Sequence, residues 1–153
     1  MVCLDVGGNI GYYTLLESNI IGDNGKVIAI EPSPPNFQHL MKNLEIQDTK
    51  NVEAYNFAAG DVDGTVNFLV YQESNGSFTI PDGETTNLPG ELIKVEAKRL
   101  DTFLDELNID HVDFVRMDVE GYEFHIIQGM KDTIQKSKPM FQIEVHASLL
   151  GKE

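Results

Sequence analysis

The sequence predicts an α/β fold in which helices cover both faces of a mostly parallel sheet. Short apolar runs alternate with amphipathic stretches along the chain, a pattern typical of repeated strand–helix–strand units. A glycine-rich segment follows the first apolar run, and acidic residues stand directly after several of the others. The length of 153 residues fits one domain, so residues 1–153 are treated as a single unit.

Five parallel strands are expected, in the spatial order 3-2-1-4-5, together with four helices. The expected strands cover residues 2–5, 26–31, 52–57, 113–118 and 139–145, and the expected helices cover residues 11–21, 34–47, 101–108 and 121–135. Ser33 is expected to cap the second helix, with Pro34 in the first turn, where a missing N–H group costs nothing. Asp101 is expected to cap the third helix.

A different pattern lies between the third and fourth of these strands and predicts an inserted antiparallel hairpin at about residues 65–97. Apolar and polar residues alternate in both arms of the hairpin, with Val66, Phe68 and Val70 in one arm and Ile93, Val95 and Ala97 in the other. The stretch between the arms, residues 72–91, is polar and contains no Lys or Arg. It fits two interpretations, a surface loop or a lid that contacts the substrate.

Charge and hydrophobicity exclude several classes of partner. The chain carries 25 acids against 11 Lys and Arg, a formal net charge of −14 at pH 7, and it has no basic cluster. Nucleic-acid binding depends on cationic side chains that displace counterions, so no nucleic-acid partner is expected. No apolar run approaches the roughly 20 residues that a membrane-spanning helix needs. No signal peptide precedes the first strand, so the expected location is cytoplasmic.

The segment from Asp5 to Gly11 is the strongest indication of function. It reads Asp-Val-Gly-Gly-Asn-Ile-Gly and directly follows the apolar run Val-Cys-Leu. The spacing G-x-N-x-G differs from the G-x-G-x-x-G loop that binds a dinucleotide pyrophosphate. It fits better a loop that holds S-adenosylmethionine, in which Asp5 faces the amino-acid end of the ligand and the helix N-terminus offers N–H groups to the ligand's carboxylate.

A second acid supports an adenosine-containing ligand. Glu31 ends the second expected strand, about 20 residues past the last glycine of the loop, where a carboxylate accepts hydrogen bonds from both ribose hydroxyls. NAD-binding folds share this position, so Glu31 alone indicates only an adenosine ribose. The glycine spacing discriminates between the two cofactors.

Five blocks of sequence carry a resemblance to a known family. They are residues 4–14 (LDVGGNIGYYT), 28–32 (IAIEP), 99–104 (RLDTFL), 117–123 (MDVEGYE) and 139–144 (PMFQIE). In this order they resemble the FkbM family of S-adenosylmethionine-dependent methyltransferases. The resemblance implies a Rossmann-like class I methyltransferase core. It also implies methylation of a hydroxyl oxygen on a sugar or a small-molecule natural product, because the better-known members have that activity.

The family fold normally continues past the fifth strand, whereas only residues 146–153 follow here. The C-terminal strands are therefore expected to be missing, and either the chain is a fragment or a partner supplies the missing cover. The fifth strand would then be an exposed apolar edge, so pairing into a homodimer is expected.

Carried over residue by residue, the resemblance implies a set of cofactor contacts. The methionine part is held by Asp5, Gly7, Asn9 and Gly11, with Gly8 and Tyr12 in the same segment. The ribose is held by Glu31, next to Pro32 and within reach of Asn36. The adenine passes Ala59 and Asp61, where Asp61 either accepts a hydrogen bond from the exocyclic amine or simply opens a turn.

Acids at the strand ends supply the candidate catalytic residues, because ligands of a doubly wound sheet bind outside the carboxyl ends of its strands. Asp118 and Glu144, together with Glu120 and His146, are expected to serve the methyl acceptor. A carboxylate or His146 would take the proton of the hydroxyl. Alternatively, Asp118 and Glu144 would hold a divalent metal that lowers the pKa of a bound hydroxyl. Glu120 also fits a simple turn, and His146 fits an ordinary exposed position.

Two other functions are alternatives. An NAD-dependent oxidoreductase would need a G-x-G-x-x-G loop, which the sequence lacks. A truncated or non-catalytic module would bind the cofactor or a partner subunit without turnover. The acceptor itself, a glycan or a small molecule, is not identified by the sequence.

Overall fold

Two sheets form the framework of the protein. The computed structural model describes residues 1–70, 77–80 and 90–145. The strands in these ranges are β1 (Val2–Val6), β2 (Lys26–Ile30), β3 (Val52–Tyr55), β4 (Ala58–Gly60), β5 (Gly64–Val70), β6 (Phe78–Ile80), β7 (Glu91–Arg99), β8 (Phe114–Met117) and β9 (Met140–Ile143). The helices are α1 (Tyr12–Ile21), α2 (Pro34–Ile46), α3 (Leu100–Glu106), α4 (Glu123–Gln128) and α5 (Lys131–Ser137). None of the described helices is long and apolar enough to cross a membrane.

The first sheet confirms the predicted strand order. Its order is β3-β2-β1-β8-β9, and every neighbouring pair is parallel. β1 lies at the centre, between β2 and β8, and its residue Asp5 is level with Ala29 on one side and Arg116 on the other. The carboxyl ends of β1, β2 and β8 therefore meet at one edge of the sheet, as a ligand crevice in this class of fold requires.

The expected hairpin is present, but it belongs to a second sheet of four strands in the order β4-β7-β5-β6. β5 and β7 pair antiparallel, and β4 pairs with β7 in parallel. The strand expected at residues 52–57 ends at Tyr55, and the chain then enters the second sheet as β4. Phe57 lies in the main core at this crossing, and the Asn56 side chain donates hydrogen bonds to the carbonyl oxygens of Glu31 and Pro32.

The core is divided by the first sheet. One face packs against α3, α4 and α5 and buries large side chains such as Leu4, Ile28, Met117, Ile126 and Met130. The opposite face packs against α1 and α2, where Ala29, Leu40 and Leu44 form a smaller cluster. Helices thus cover both faces, as the sequence predicts.

The prediction of a helix at residues 121–135 is wrong in one respect, because this part of the chain forms two short helices. α4 ends at Gln128 and α5 begins at Lys131. Between them, Gly129 lies against the backbone of β4: a Cβ atom at position 129 would stand 1.8 Å from the carbonyl oxygen of Gly60. The chain turns here to keep this close backbone contact, so the helix is interrupted. The apolar side chains nevertheless continue at helical spacing along the sequence.

The expected role of Asp101 is also wrong. The residue before α3 is Arg99, so Asp101 already lies inside the first turn of that helix. Its carboxylate instead accepts hydrogen bonds from the N–H groups of Asp132 (3.2 Å) and Thr133 (2.9 Å) at the start of α5. Asp101 therefore caps a helix that begins thirty residues later in the chain. Ser33 does occupy the cap position of α2, with Pro34 following it, but its side chain makes no capping hydrogen bond.

Candidate functional site

A cleft of about 220 Å³ lies between the two sheets, at the carboxyl ends of β1, β2 and β8. The segment after β1 contributes Gly7 and Asn9, and the end of β2 contributes Glu31. Other walls come from β4, β6, α4 and the turn after β8, which contribute Ala59, Phe78, Thr79, Asp118, Glu120 and Tyr122. The cleft is therefore where the sequence predicts a cofactor site.

The glycine segment is shaped by close contact with the end of β8. The backbone N–H groups of Gly7 and Gly8 donate to the carbonyl oxygen of Ile30 at 2.9 and 3.0 Å, which ties the segment to β2. Gly7 has φ +86°, and a Cβ atom there would stand 2.1 Å from the carbonyl oxygen of Asp118. Only glycine fits this position, because a side chain would meet both a rigid backbone atom and an unfavourable φ.

Asn9 carries an unsatisfied polar atom at the cleft. Its φ is +51°, and its side-chain Oδ1 is buried with no hydrogen-bond partner in the described part of the chain. Buried polar atoms almost always have partners. The orphaned oxygen therefore marks a point where a bound ligand would supply a donor.

Glu31 is 5% exposed and is held by backbone groups from two directions. The N–H group of Asn9 donates to Oε2 and that of Ser33 donates to Oε1, both at 2.8 Å. Burial raises the pKa of Glu31 to about 7, although these two hydrogen bonds oppose the rise. The carboxylate is thus fixed in orientation, and its charge changes close to neutral pH.

Asp5 lies behind the cleft rather than in its lining. It is fully buried; its Oδ2 accepts a hydrogen bond from the Thr14 hydroxyl at 2.5 Å, and its Oδ1 accepts one from Arg116 at 3.0 Å. Burial raises the pKa of Asp5, and the bonds from Thr14 and Arg116 oppose the rise. The geometry shows Asp5 anchoring β1 to α1 and β8, and a direct ligand contact stays a prediction.

Glu17, on α1, is a second buried acid in this region. It is 9% exposed, and its Oε2 has no partner among the described residues. Burial, reinforced by the negative charge of Asp5, raises the pKa of Glu17 to about 8. The sequence indicates no role for this residue.

Arg116 is the residue that sequence reasoning missed. It is 5% exposed, and besides bonding to Asp5 it donates to Oδ2 of Asp118 at 2.9 Å. Its guanidinium carbon also lies 3.9 Å from the centre of the Tyr13 ring. One signal could have identified it: a cation in an otherwise apolar strand, two residues before Asp118 and therefore on the same face of the strand.

The four candidate catalytic residues are not all brought together. Asp118 and Glu120 line the cleft, and Glu120 has φ +53° in the turn after β8. Glu144 follows β9, is exposed and does not line the cleft. His146 lies outside the described residues. Within the ranges that the structure describes, no group of three or more His, Cys, Asp or Glu side chains could hold a metal ion.

Asp61, the predicted adenine contact, does not line the cleft and is paired with a histidine. His125 Nδ1 lies 2.9 Å from Oδ2 of Asp61, and the Tyr122 ring stacks on the His125 ring with their centres 4.4 Å apart. No function is expected for His125 from the sequence, yet it contacts a predicted cofactor residue. Of the other predicted cofactor residues, Pro32, Asn36 and Ala59 line the cleft, whereas Gly8, Gly11 and Tyr12 do not.

The chain is similar to several known methyltransferases. The sequence model described as the Methyltransferase FkbM domain matches residues 5–152. A relative in Beauveria bassiana (strain ARSEF 2860), Methyltransferase 1, is 28% identical over an alignment of 145 residues that covers 84% of this chain and 58% of the relative. The Hexuronic acid methyltransferase AglP of Haloferax volcanii is 25% identical over 154 residues, covering 99% of this chain and 59% of that protein. This chain therefore spans less than two thirds of the length of either relative.

A solved structure shares the fold. The methyltransferase FkbM from Methylobacillus flagellatus KT superposes with a TM-score of 0.64 at 22% sequence identity, covering 92% of this chain and 32% of that chain. Its likeness supports the α/β architecture with a mostly parallel sheet.

Proposed function

Because the chain belongs to the FkbM methyltransferase family, we propose that it transfers a methyl group from S-adenosylmethionine to a hydroxyl oxygen of a sugar or a small-molecule natural product. The observation that carries the proposal is the unpartnered Oδ1 of Asn9, buried beside the Glu31 carboxylate at the end of the cleft. A ligand with hydrogen-bond donors at both points satisfies the two groups together.

The residues present fit this cofactor. Glu31 would accept hydrogen bonds from the ribose hydroxyls, and Asn9 with the glycine segment would hold the methionine part. Pro32, Asn36 and Ala59 would border the adenine. When bound, S-adenosylmethionine supplies an electrophilic methyl group.

The chain's own contribution to the chemistry is to orient the acceptor and remove its proton. Asp118 and Glu120 are the carboxylates of the turn after β8 that line the cleft, and we propose that one of them accepts the proton as the hydroxyl oxygen attacks. A divalent metal held by Asp118 and Glu144 is the weaker alternative, because Oδ2 of Asp118 bonds to Arg116 and Glu144 lies outside the cleft lining. Methyl transfer that survives EDTA favours the carboxylate base, whereas loss restored by magnesium favours the metal.

The acceptor class is supported by the relative in Haloferax volcanii, which is named for a hexuronic acid. Such a sugar offers hydroxyl and carboxylate oxygens to a methyl donor, so the name supports an oxygen acceptor in general. A module that binds the cofactor without turnover is the second candidate.

Titration calorimetry with S-adenosylhomocysteine and with NADH tests the cofactor. We expect the first to bind and the second not to bind. Glu31→Ala should weaken binding by about 1.5–3 kcal/mol, the usual scale for a hydrogen bond to a charged group. Binding of NADH alone would overturn the proposal. Transfer of a tritiated methyl group to a panel of sugars and hydroxylated small molecules then separates an enzyme from a module that binds without turnover.

A further inference from the structure

We propose that Arg116 is a positioning residue for the half of the cofactor site that receives the methionine part. This inference rests on the proposed function. Arg116 does not line the cleft, so it would act through the groups that it holds. The Arg116 guanidinium is contacted by side chains from three places in the chain, each of which lies next to the glycine segment or touches it.

The guanidinium of Arg116 bridges two carboxylates. Nη1 donates to Asp5 at the end of β1 and Nη2 donates to Asp118 directly after β8, at 3.0 and 2.9 Å. The planar fork of an arginine presents two donors at a fixed separation, so it joins two carboxylates in one arrangement. A lysine has the charge but lacks the fork.

The contacts of Arg116 lie around residues 7–11. Asp5 stands just before this segment, and Tyr13, whose ring covers the guanidinium, stands just after it. Asp118 touches the segment itself, because its carbonyl oxygen occupies the space where Gly7 would carry a side chain. Arg116 thus holds residues on both sides of the segment and the residue against which Gly7 packs.

The adenosine half of the cleft is built from other contacts. Glu31 is oriented by backbone N–H groups, and Ala59 belongs to β4 in the second sheet. Neither makes a hydrogen bond or an ion pair with Arg116 among the described contacts. Loss of the guanidinium should therefore affect the two halves of the ligand unequally.

The test compares two ligands in four proteins. S-adenosylhomocysteine contains the amino-acid part, and adenosine lacks it. We measure the affinity of both by calorimetry for the wild type, Arg116→Met, Arg116→Lys and the control Arg99→Met. Arg99 is the other arginine of the chain and is paired with Asp101, away from the cleft.

We expect Arg116→Met to weaken the binding of S-adenosylhomocysteine at least about tenfold, which is the scale of one lost hydrogen bond to a charged group. The binding of adenosine should weaken less than about twofold. Arg116→Lys should show the same selective loss to a smaller degree, and Arg99→Met should show none. Equal loss of both ligands would mean a general structural role and would overturn the inference, as would unchanged binding of both.

The failure of this inference can be distinguished from that of the proposed function. If the wild type binds no S-adenosylhomocysteine, the proposed function fails, and the inference fails with it. If Arg116→Met does not fold, as judged by circular dichroism, Arg116→Lys decides, because it keeps the positive charge beside the buried Asp5. A lysine variant that binds both ligands like the wild type then overturns the inference.

Discussion

Replacing Glu17 with glutamine should remove a loss of stability that the wild type suffers as the pH rises. The burial that raises the pKa of Glu17 from 4.5 to about 8 favours its protonated form in the folded chain. Between these two values the unfolded chain is ionised while the folded chain keeps the proton. The free energy of unfolding therefore falls as the pH rises through this window.

The size of the effect follows from the pKa change. At about 1.4 kcal/mol for each pH unit, the whole rise corresponds to at most about 5 kcal/mol. Water that reaches the unpartnered Oε2 on ionisation lowers this value, so we expect the glutamine variant to gain about 2 kcal/mol relative to the wild type between about pH 5 and about pH 9.

Urea unfolding followed by circular dichroism at several pH values measures the difference. Other titrating groups, including Glu31, are common to both proteins and cancel in it. Glu45→Gln, at an exposed position of α2, is the matched control and should show no pH-dependent gain. If the stability difference between Glu17→Gln and the wild type stays constant with pH, the reasoning from burial is refuted.

Three further predictions concern the cleft and the sheet edge. Because the pKa of Glu31 is about 7 and ribose hydroxyls bond better to the ionised form, S-adenosylhomocysteine should bind more tightly as the pH rises through neutrality. Calorimetry on the wild type and Glu31→Gln checks this, and an affinity that still increases with pH in the variant contradicts it. Gly7→Ala should lower the free energy of unfolding by about 3 kcal/mol or more in the same urea assay. Gly8→Ala should lower it by less than about 1 kcal/mol, because a Cβ atom at position 8 would meet nothing closer than 3.3 Å. Equal losses of stability in the two variants would contradict this reasoning from contacts. Pairing through the edge strand β9 should give a dimer that Met140→Lys weakens, and a wild type that light scattering finds monomeric at high concentration would argue against it.

The strand order could be predicted because it depends on local signals. Each parallel strand is an apolar run bounded by turn residues, and the glycine segment identifies the first strand–helix connection. Asn9 and Glu31 follow from the same signals, since Asn9 belongs to that segment and Glu31 stands at the end of the next apolar run.

Other features depend on contacts between distant parts of the chain, so local patterns do not reveal them. Arg116 meets Asp5 only because β1 and β8 pair in one register. Asp101 carries an ordinary capping signal, but the helix that it caps is placed beside it by the packing of α5 against α3. The second sheet was only partly foreseen, because β4 is three residues long and its sequence resembles the end of the preceding strand.

The contact between Gly129 and Gly60 limits how the cleft can change its width. β4 and α4 both line the cleft, through Ala59 and Ile126, and the backbone of Gly60 at the end of β4 touches Gly129 directly after α4. No compressible side chain separates them, so the two walls behave as one rigid block. The opposite wall, formed by β6, is held by pairing with β5 alone among the described strands. A bulky acceptor would therefore be accommodated by displacement of β6, and relatives with different acceptors are expected to differ there while keeping Gly129.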